Sequence, residues 1–192
     1  MRSLTLIVAV FLLVAFVSSC ASPVSRFYTL SAGGAPVATP SNLSIAVGPV
    51  SVPAVVDRPQ IVVTTGPNQV RPEEFNRWAS PLQNAIARVV VENLVALLGT
   101  PRVVLFSQTL GVDIDYRVAI EVQRFESVPG EAATLDAVWS VIRAKDGKLQ
   151  TGRTTLRETA QGSGYDALAA AHSRALARLS RDIAGAVKTL AQ

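Results

Sequence analysis

Arg77-Trp78-Ala79-Ser80-Pro81-Leu82-Gln83, running on through Leu98 to Gly99-Thr100-Pro101, decides how the rest of the chain is read. Ser80 stands where a helix N-cap belongs, Pro81 suits a first turn that needs no N–H, and Gln83 is placed to return a capping-box hydrogen bond. From there Leu82, Ile86, Val89, Val90, Asn93, Leu94 and Leu97 recur at steps of three and four, so one helical face is apolar, and Gly99 with Pro101 ends the helix. Asn93 is the one polar residue on that face. Such a helix has to be covered by a sheet or a second helix.

The flanking sequence supplies both. Phe27-Tyr28-Thr29-Leu30 reads as a first strand, and the Gly, Pro, Ser and Ala of 31–41 as a loop. Leu43, Ile45 and Val47 alternate with small residues in a half-buried strand, and Pro53 and Pro59 put the following segment at an edge or turn. Ile61-Val62-Val63-Thr64-Thr65 is a short β-branched strand, Asn68-Gln69-Val70 can pair back on it, and Glu73 to Asn76 is a polar lead into the helix. Beyond the helix come a brief strand at Val103–Phe106, a long one over Asp113–Phe125, a second over Ala133–Arg143 and a third over Leu149–Glu158. Pro129-Gly130 and Asp146-Gly147 turn these three into an antiparallel meander, because Asp and Gly accept the positive φ that tight hairpins require. Gly162-Ser163-Gly164 then introduces a last helix with Ser163 as cap and Asp166 as its partner, along which Tyr165, Leu168, His172, Leu176, Leu179, Ile183, Val187 and Leu190 form an apolar stripe. The expected fold is α+β: a mixed, largely antiparallel sheet with a three-strand meander whose apolar face receives two amphipathic helices. Trp139 belongs to that core.

The 192 residues are 49% hydrophobic and 17% charged, enough apolar surface for one sizeable domain. The formal charge is +4 with the basic residues scattered, and Phe106 and Phe125 do not interleave with them, so nucleic acid is not expected as a partner. Met1-Arg2, the apolar run Leu4–Val17 and Ser18-Ser19-Cys20 read as an export signal too short to span a bilayer. The small residues before Cys20 resemble a lipoprotein processing site, and what that resemblance implies is a signal peptide over 1–19, a tether over 20–26 and a single periplasmic domain over 27–192. Removal of the signal takes Arg2 with it and lowers the charge to about +3. Cys20 is the single cysteine, so neither an intrachain disulfide nor a cysteine-rich metal site can form.

Catalytic chemistry finds few residues to use. His172 is the single histidine and falls on an apolar helical stripe, where a core or boundary role is the plain reading. Asp113 and Asp115 could face one way from a strand but lack an acid/base partner at useful spacing. Gly33-Gly34 opens no strand–turn–helix fingerprint, and Gly162-Ser163-Gly164 lacks the fuller nucleophile-elbow pattern. No cofactor or metal is expected. A hydrolase would require His172 to join acidic and hydroxyl groups beside a pocket.

Small residues directly before a lone cysteine resemble the bacterial lipoprotein processing site, which implies cleavage before Cys20 and its lipidation; Ala21 and Ser22, with no Asp after the cysteine, imply the periplasmic face of the outer membrane. Together with that signal, Arg26-Phe27-Tyr28-Thr29-Leu30, Val47-Gly48-Pro49-Val50, Asp57-Arg58-Pro59-Gln60-Ile61-Val62 and Asn76-Arg77-Trp78-Ala79-Ser80-Pro81-Leu82 resemble, in this order, the ABC-type transport auxiliary lipoproteins of the PqiC and YmbA kind. The resemblance implies a non-catalytic accessory of a system whose MCE-domain carrier bridges the periplasm and moves phospholipid or another hydrophobic compound. It implies anchoring in outer-membrane lipid through acylated Cys20, with Arg58, Gln60, Arg77 and Trp78 as candidate interface residues. Against that role, Trp78 can pack the helix entrance, Arg58 can satisfy a turn, and Tyr28 can be core. A regulatory or assembly lipoprotein for a cell-wall synthase or another outer-membrane complex is the alternative. Substrate, transport direction and oligomeric state are not encoded in any motif.

Overall fold

A computed structural model describes residues 23–33, 39–108 and 113–192, so the export signal and Cys20 lie outside the described residues. Among the described residues, eight strands and two long helices follow one another as β1 (Arg26–Tyr28), β2 (Ile45–Ser51), β3 (Gln60–Gly66), β4 (Gln69–Trp78), α1 (Leu82–Leu98), β5 (Val103–Leu105), β6 (Tyr116–Val128), β7 (Ala132–Arg143), β8 (Leu149–Thr159) and α2 (Tyr165–Ala191). The strands form one curled, mixed sheet that branches at β6. One edge of β6 carries the antiparallel meander β6–β7–β8. Its other edge is shared: residues from Tyr116 to Glu121 pair in parallel with β2, and Ser127 pairs with Val63 of β3. Beyond β2 lies β5, and beyond β3 lie β4 and then β1. The antiparallel ladders are long and the parallel ones short, and the expected α+β architecture is the one observed.

The helices divide the work of covering this sheet. α2 lies across β7 and β8, while α1 packs on β2, β5 and α2, so the meander receives one helix and not both. Because α2 is pressed between sheet and α1, its buried surface is wide, and small residues (Ala169, Ala171, Ala175, Ala184, Ala186) accompany Leu168, Leu176, Leu179, Ile183 and Val187. Asn93, polar on an otherwise apolar stripe, is fully buried at the helix–helix contact. Its amide donates to Ser180 Oγ at 3.2 Å and its carbonyl accepts from Gly33 N–H at 2.9 Å, so its polar atoms bind α2 and the N-terminal loop to α1. Arg143 fixes the other end of α2, pairing with Asp146 at 2.8 Å and donating to the carbonyl of Leu190.

Several boundaries differ from the sequence reading. Neither helix is capped by a side chain: α1 begins at Leu82 after Pro81, and α2 at Tyr165 after Gly164, leaving Ser80 and Ser163 outside the caps. Gln83 makes no capping box, because its amide instead donates to Asp57 Oδ2 at 3.0 Å. The Glu73–Asn76 stretch is not a lead-in but the middle of β4, which tolerates Pro72 because β1 covers only Asn76–Trp78 on that side. The long strand starts at Tyr116 and not Asp113, since Asp115 is drawn away to accept hydrogen bonds from the N–H and hydroxyl of Ser44 at 2.8 and 2.9 Å. The pair Asp113 and Asp115 therefore presents no common carboxylate face.

Two features of the core are quantitatively exposed to test. Trp139 on β7 lies over Gly152 on β8, its cross-strand partner; a Cβ at Gly152 would meet the indole at 2.2 Å. The indole N–H donates to Thr154 Oγ1, which donates to Asp182 of α2 at 2.6 Å, so the ring cannot simply move. We expect Gly152→Ala to cost about 1–3 kcal/mol in denaturant unfolding, by overpacking. His172 of α2 is fully buried, stacked on Phe125 with ring centroids 3.7 Å apart, with Nε2 2.9 Å from Ser127 Oγ. Burial pushes its imidazole down to about 3 from the ordinary 6.5. The unfolded chain therefore binds one more proton between those values, and stability falls as pH falls through that window. Urea unfolding at pH 7 and pH 5 should differ by about 2 kcal/mol from this group, and His172→Leu should abolish that difference.

Candidate functional site

The two sequence segments with the most distinctive composition, Asp57–Val62 and Arg77–Leu82, meet at one place. Val56 and Asp57 N–H both return to the carbonyl of Pro53, closing a turn that presents Asp57, Arg58 and Pro59 to solvent. β3 starts at Gln60, whose Cα partner on β4 is Arg77, and the N–H of Trp78 donates to the carbonyl of Pro59 at 2.7 Å. The N–H of Ala79 then donates to Tyr28 of β1 at 2.9 Å, so three strands converge where β4 ends and α1 begins. Asp57 and Gln83 tie the turn to the first turn of α1.

Between these pieces lies a groove of about 310 Å³ lined by Asp57, Arg58, Pro59, Trp78, Ala79, Ser80, Pro81 and Leu82. Its floor is apolar: Leu82 is 1% exposed and Trp78 6%. Pro59 and Pro81 form rigid walls, since each ring fixes its own φ. Asp57 stands at the rim with its carboxylate held by Gln83. Arg58 is exposed at the same rim, and among the described residues its guanidinium has no ion-pair partner. The volume is at the low end for small-molecule pockets and the groove is open along its length, so it suits an inserted side chain or a short peptide segment.

Each residue singled out in the sequence can now be placed. Arg58 and Trp78 line the groove, while Gln60 and Arg77 sit side by side on the adjoining strands. Arg77 is half-buried and engaged, its Nε donating to the carbonyl of Glu74 at 2.8 Å. Trp78 turns inward, edge-on to Phe125 and His172 with centroids 6.1 and 6.3 Å away, so its contribution is a floor and not a protruding anchor. Tyr28 is half-buried, donates to Asn76 Oδ1 at 3.0 Å and packs on Tyr165. His172 has Ser127 beside it but no carboxylate bonded to the ring, and it is sealed from solvent. What the sequence did not reveal is Asp57 and its bond to Gln83. The signal was the acid directly before Arg58, but only the tertiary approach of α1 gives it a partner.

Among the described residues no group of histidine, cysteine or carboxylate side chains is arranged to hold a metal ion, and no helix is long and apolar enough to cross a membrane. No curated protein matches the chain. Two solved structures have the same architecture. One, of an uncharacterized protein, is 25% identical, with a TM-score of 0.71 over 86% of this chain and 99% of its own. The other, protein XCC0632 from Xanthomonas campestris, is 22% identical, with a TM-score of 0.71 over 85% of this chain and 94% of its own. The profile described as "ABC-type transport auxiliary lipoprotein component" matches residues 28–184, which include both segments of the groove. The chain belongs to that family, whose members are auxiliary lipoproteins and not catalysts.

Proposed function

We propose that this protein is an outer-membrane-anchored accessory of an MCE-type, ABC-linked system that moves phospholipid or another hydrophobic compound, and that it docks the periplasm-spanning carrier through the groove between Asp57–Pro59 and Trp78–Leu82. Cys20, three residues before the first described residue, is the acylated anchor, as its place after Ser18-Ser19 implies. Anchoring through several acyl chains holds a protein far more firmly than one chain, each buried methylene contributing about 0.8 kcal/mol. The domain then performs no chemistry; energy for transport comes from a separate ATPase.

The observation that carries this reading is Arg58. A guanidinium left without an ion pair at the rim of an apolar groove is available to an acidic group on a partner, while the groove takes an adjacent apolar side chain. Charged rim groups govern encounter and register more than fold stability. Trp78, by contrast, holds the core beneath.

Affinity purification of the full-length protein from its native membrane tests this. The expected result is recovery of an MCE-domain protein, reduced at least tenfold by Arg58→Glu while the thermal melt stays unchanged. Trp78→Ala should act differently, costing about 3–5 kcal/mol of stability because it empties the core under the groove. Recovery of cell-wall or outer-membrane assembly proteins alone would overturn the transport reading in favour of a regulatory role.

A further inference from the structure

Three apolar side chains at the tether end of the sheet have no place in the groove or the core. Val24 is 84% exposed, Phe27 on β1 64% and Phe75 on β4 44%. Single exposed apolar residues are ordinary, but two exposed phenylalanines on neighbouring strands next to a membrane tether are not explained by the fold. Their placement follows from the strands. Tyr28 and Trp78 are Cα partners and turn inward, so the preceding partners, Phe27 and Arg77, turn outward. The register shift between Gln60 and Ile61 leaves extra residues in β4, and Phe75 protrudes there.

We infer that this face, formed by Phe27 and Phe75, seats on the phospholipid leaflet that holds the anchor. The inference rests on Cys20 being the acylated residue. Cys20 and Phe27 are separated by 27 − 20 = 7 residues, and a fully extended chain of that length reaches about 25 Å at most. The first surface available to the two rings is therefore the leaflet itself. Exposed aromatic rings match the chemistry of a membrane interface, where they sit at headgroup level.

The test uses the full-length acylated protein in vesicles of phosphatidylethanolamine and phosphatidylglycerol, some with brominated acyl chains that quench indole fluorescence on contact. Phe27→Trp and Phe75→Trp are conservative replacements at exposed positions, and Leu149→Trp, at an exposed hairpin on the opposite branch, is the reference; the parent protein supplies the background of Trp78 and Trp139. The expected result is at least twofold greater quenching by brominated lipid for Phe27→Trp and Phe75→Trp than for Leu149→Trp. Mass measurement of the purified protein reads the state of Cys20 separately. Unmodified Cys20 would remove the anchor reading and this inference with it. Acylated Cys20 with quenching no greater than the reference would remove the seat alone, and quenching lost together with concentration-dependent self-association would assign the face to a second copy of the chain.

Discussion

The structure depends on β6 being paired with β7 along one whole edge and, on the other edge, with β2 at its start and β3 near its end. Its thirteen residues are too long for any one neighbour on the side away from β7, so β2 takes the first part and β3 meets the last. That division makes one sheet out of two branches. The N-terminal strands β1, β4 and β3 curl away on one side and β5 and β2 on the other, with α2 and α1 filling the concavity. Alternation along β6 buries Tyr116, Val118, Ile120, Val122 and Phe125, so a shift of register by one residue would turn that set toward solvent. Phe125 and Ser127, near the branch point, receive His172 from α2, and Trp78 closes over the same ring. The groove floor is thus continuous with the most tightly constrained part of the core.

This continuity gives the groove its rigidity. Asp57, Pro59 and Arg58 are held by a turn whose carbonyls pair with Trp78 and with the turn itself, and the turn is tied to α1 through Gln83. A preorganised surface of this kind loses little conformational freedom on binding, which favours association over a flexible loop of the same composition. The tether and the groove also stand in a fixed relation, because β1 connects one to the other within a few residues and is hydrogen-bonded to β4.

Much of this was legible in the sequence. Alternation in 116–125 and 133–143, the Asp146-Gly147 turn and the apolar stripe from Leu168 to Val187 specified the three strands, their turn and the last helix, because each pattern has one period, but not how the two helices divide the sheet between them. The order of motifs also brought Arg58, Gln60, Arg77 and Trp78 forward, and the fold gathers them at one junction. What sequence alone could not supply were features decided by tertiary partners. Gln83 had a local capping role open to it, and Asp57 won it from a distance in sequence. Asn93 looked like an imperfection in an apolar stripe until Gly33 and Ser180 supplied its bonds. Glu73 to Asn76 read as a polar lead into the helix, but the stretch belongs to β4, and the short reach of β1 leaves Pro72 at an edge where a missing N–H is harmless. The inward turn of Trp78 likewise depended on the position of α2, which no local pattern encodes.

Site-specific photocrosslinking in living cells tests the central claim most directly. A photoreactive amino acid at Arg58 or Pro81 samples the groove, and one at Leu149 samples the remote hairpin. The account predicts adducts to an MCE-domain transport component from the two groove positions and none from Leu149. Adducts from Leu149 alone, or groove adducts only to proteins of cell-wall or outer-membrane assembly, would contradict it.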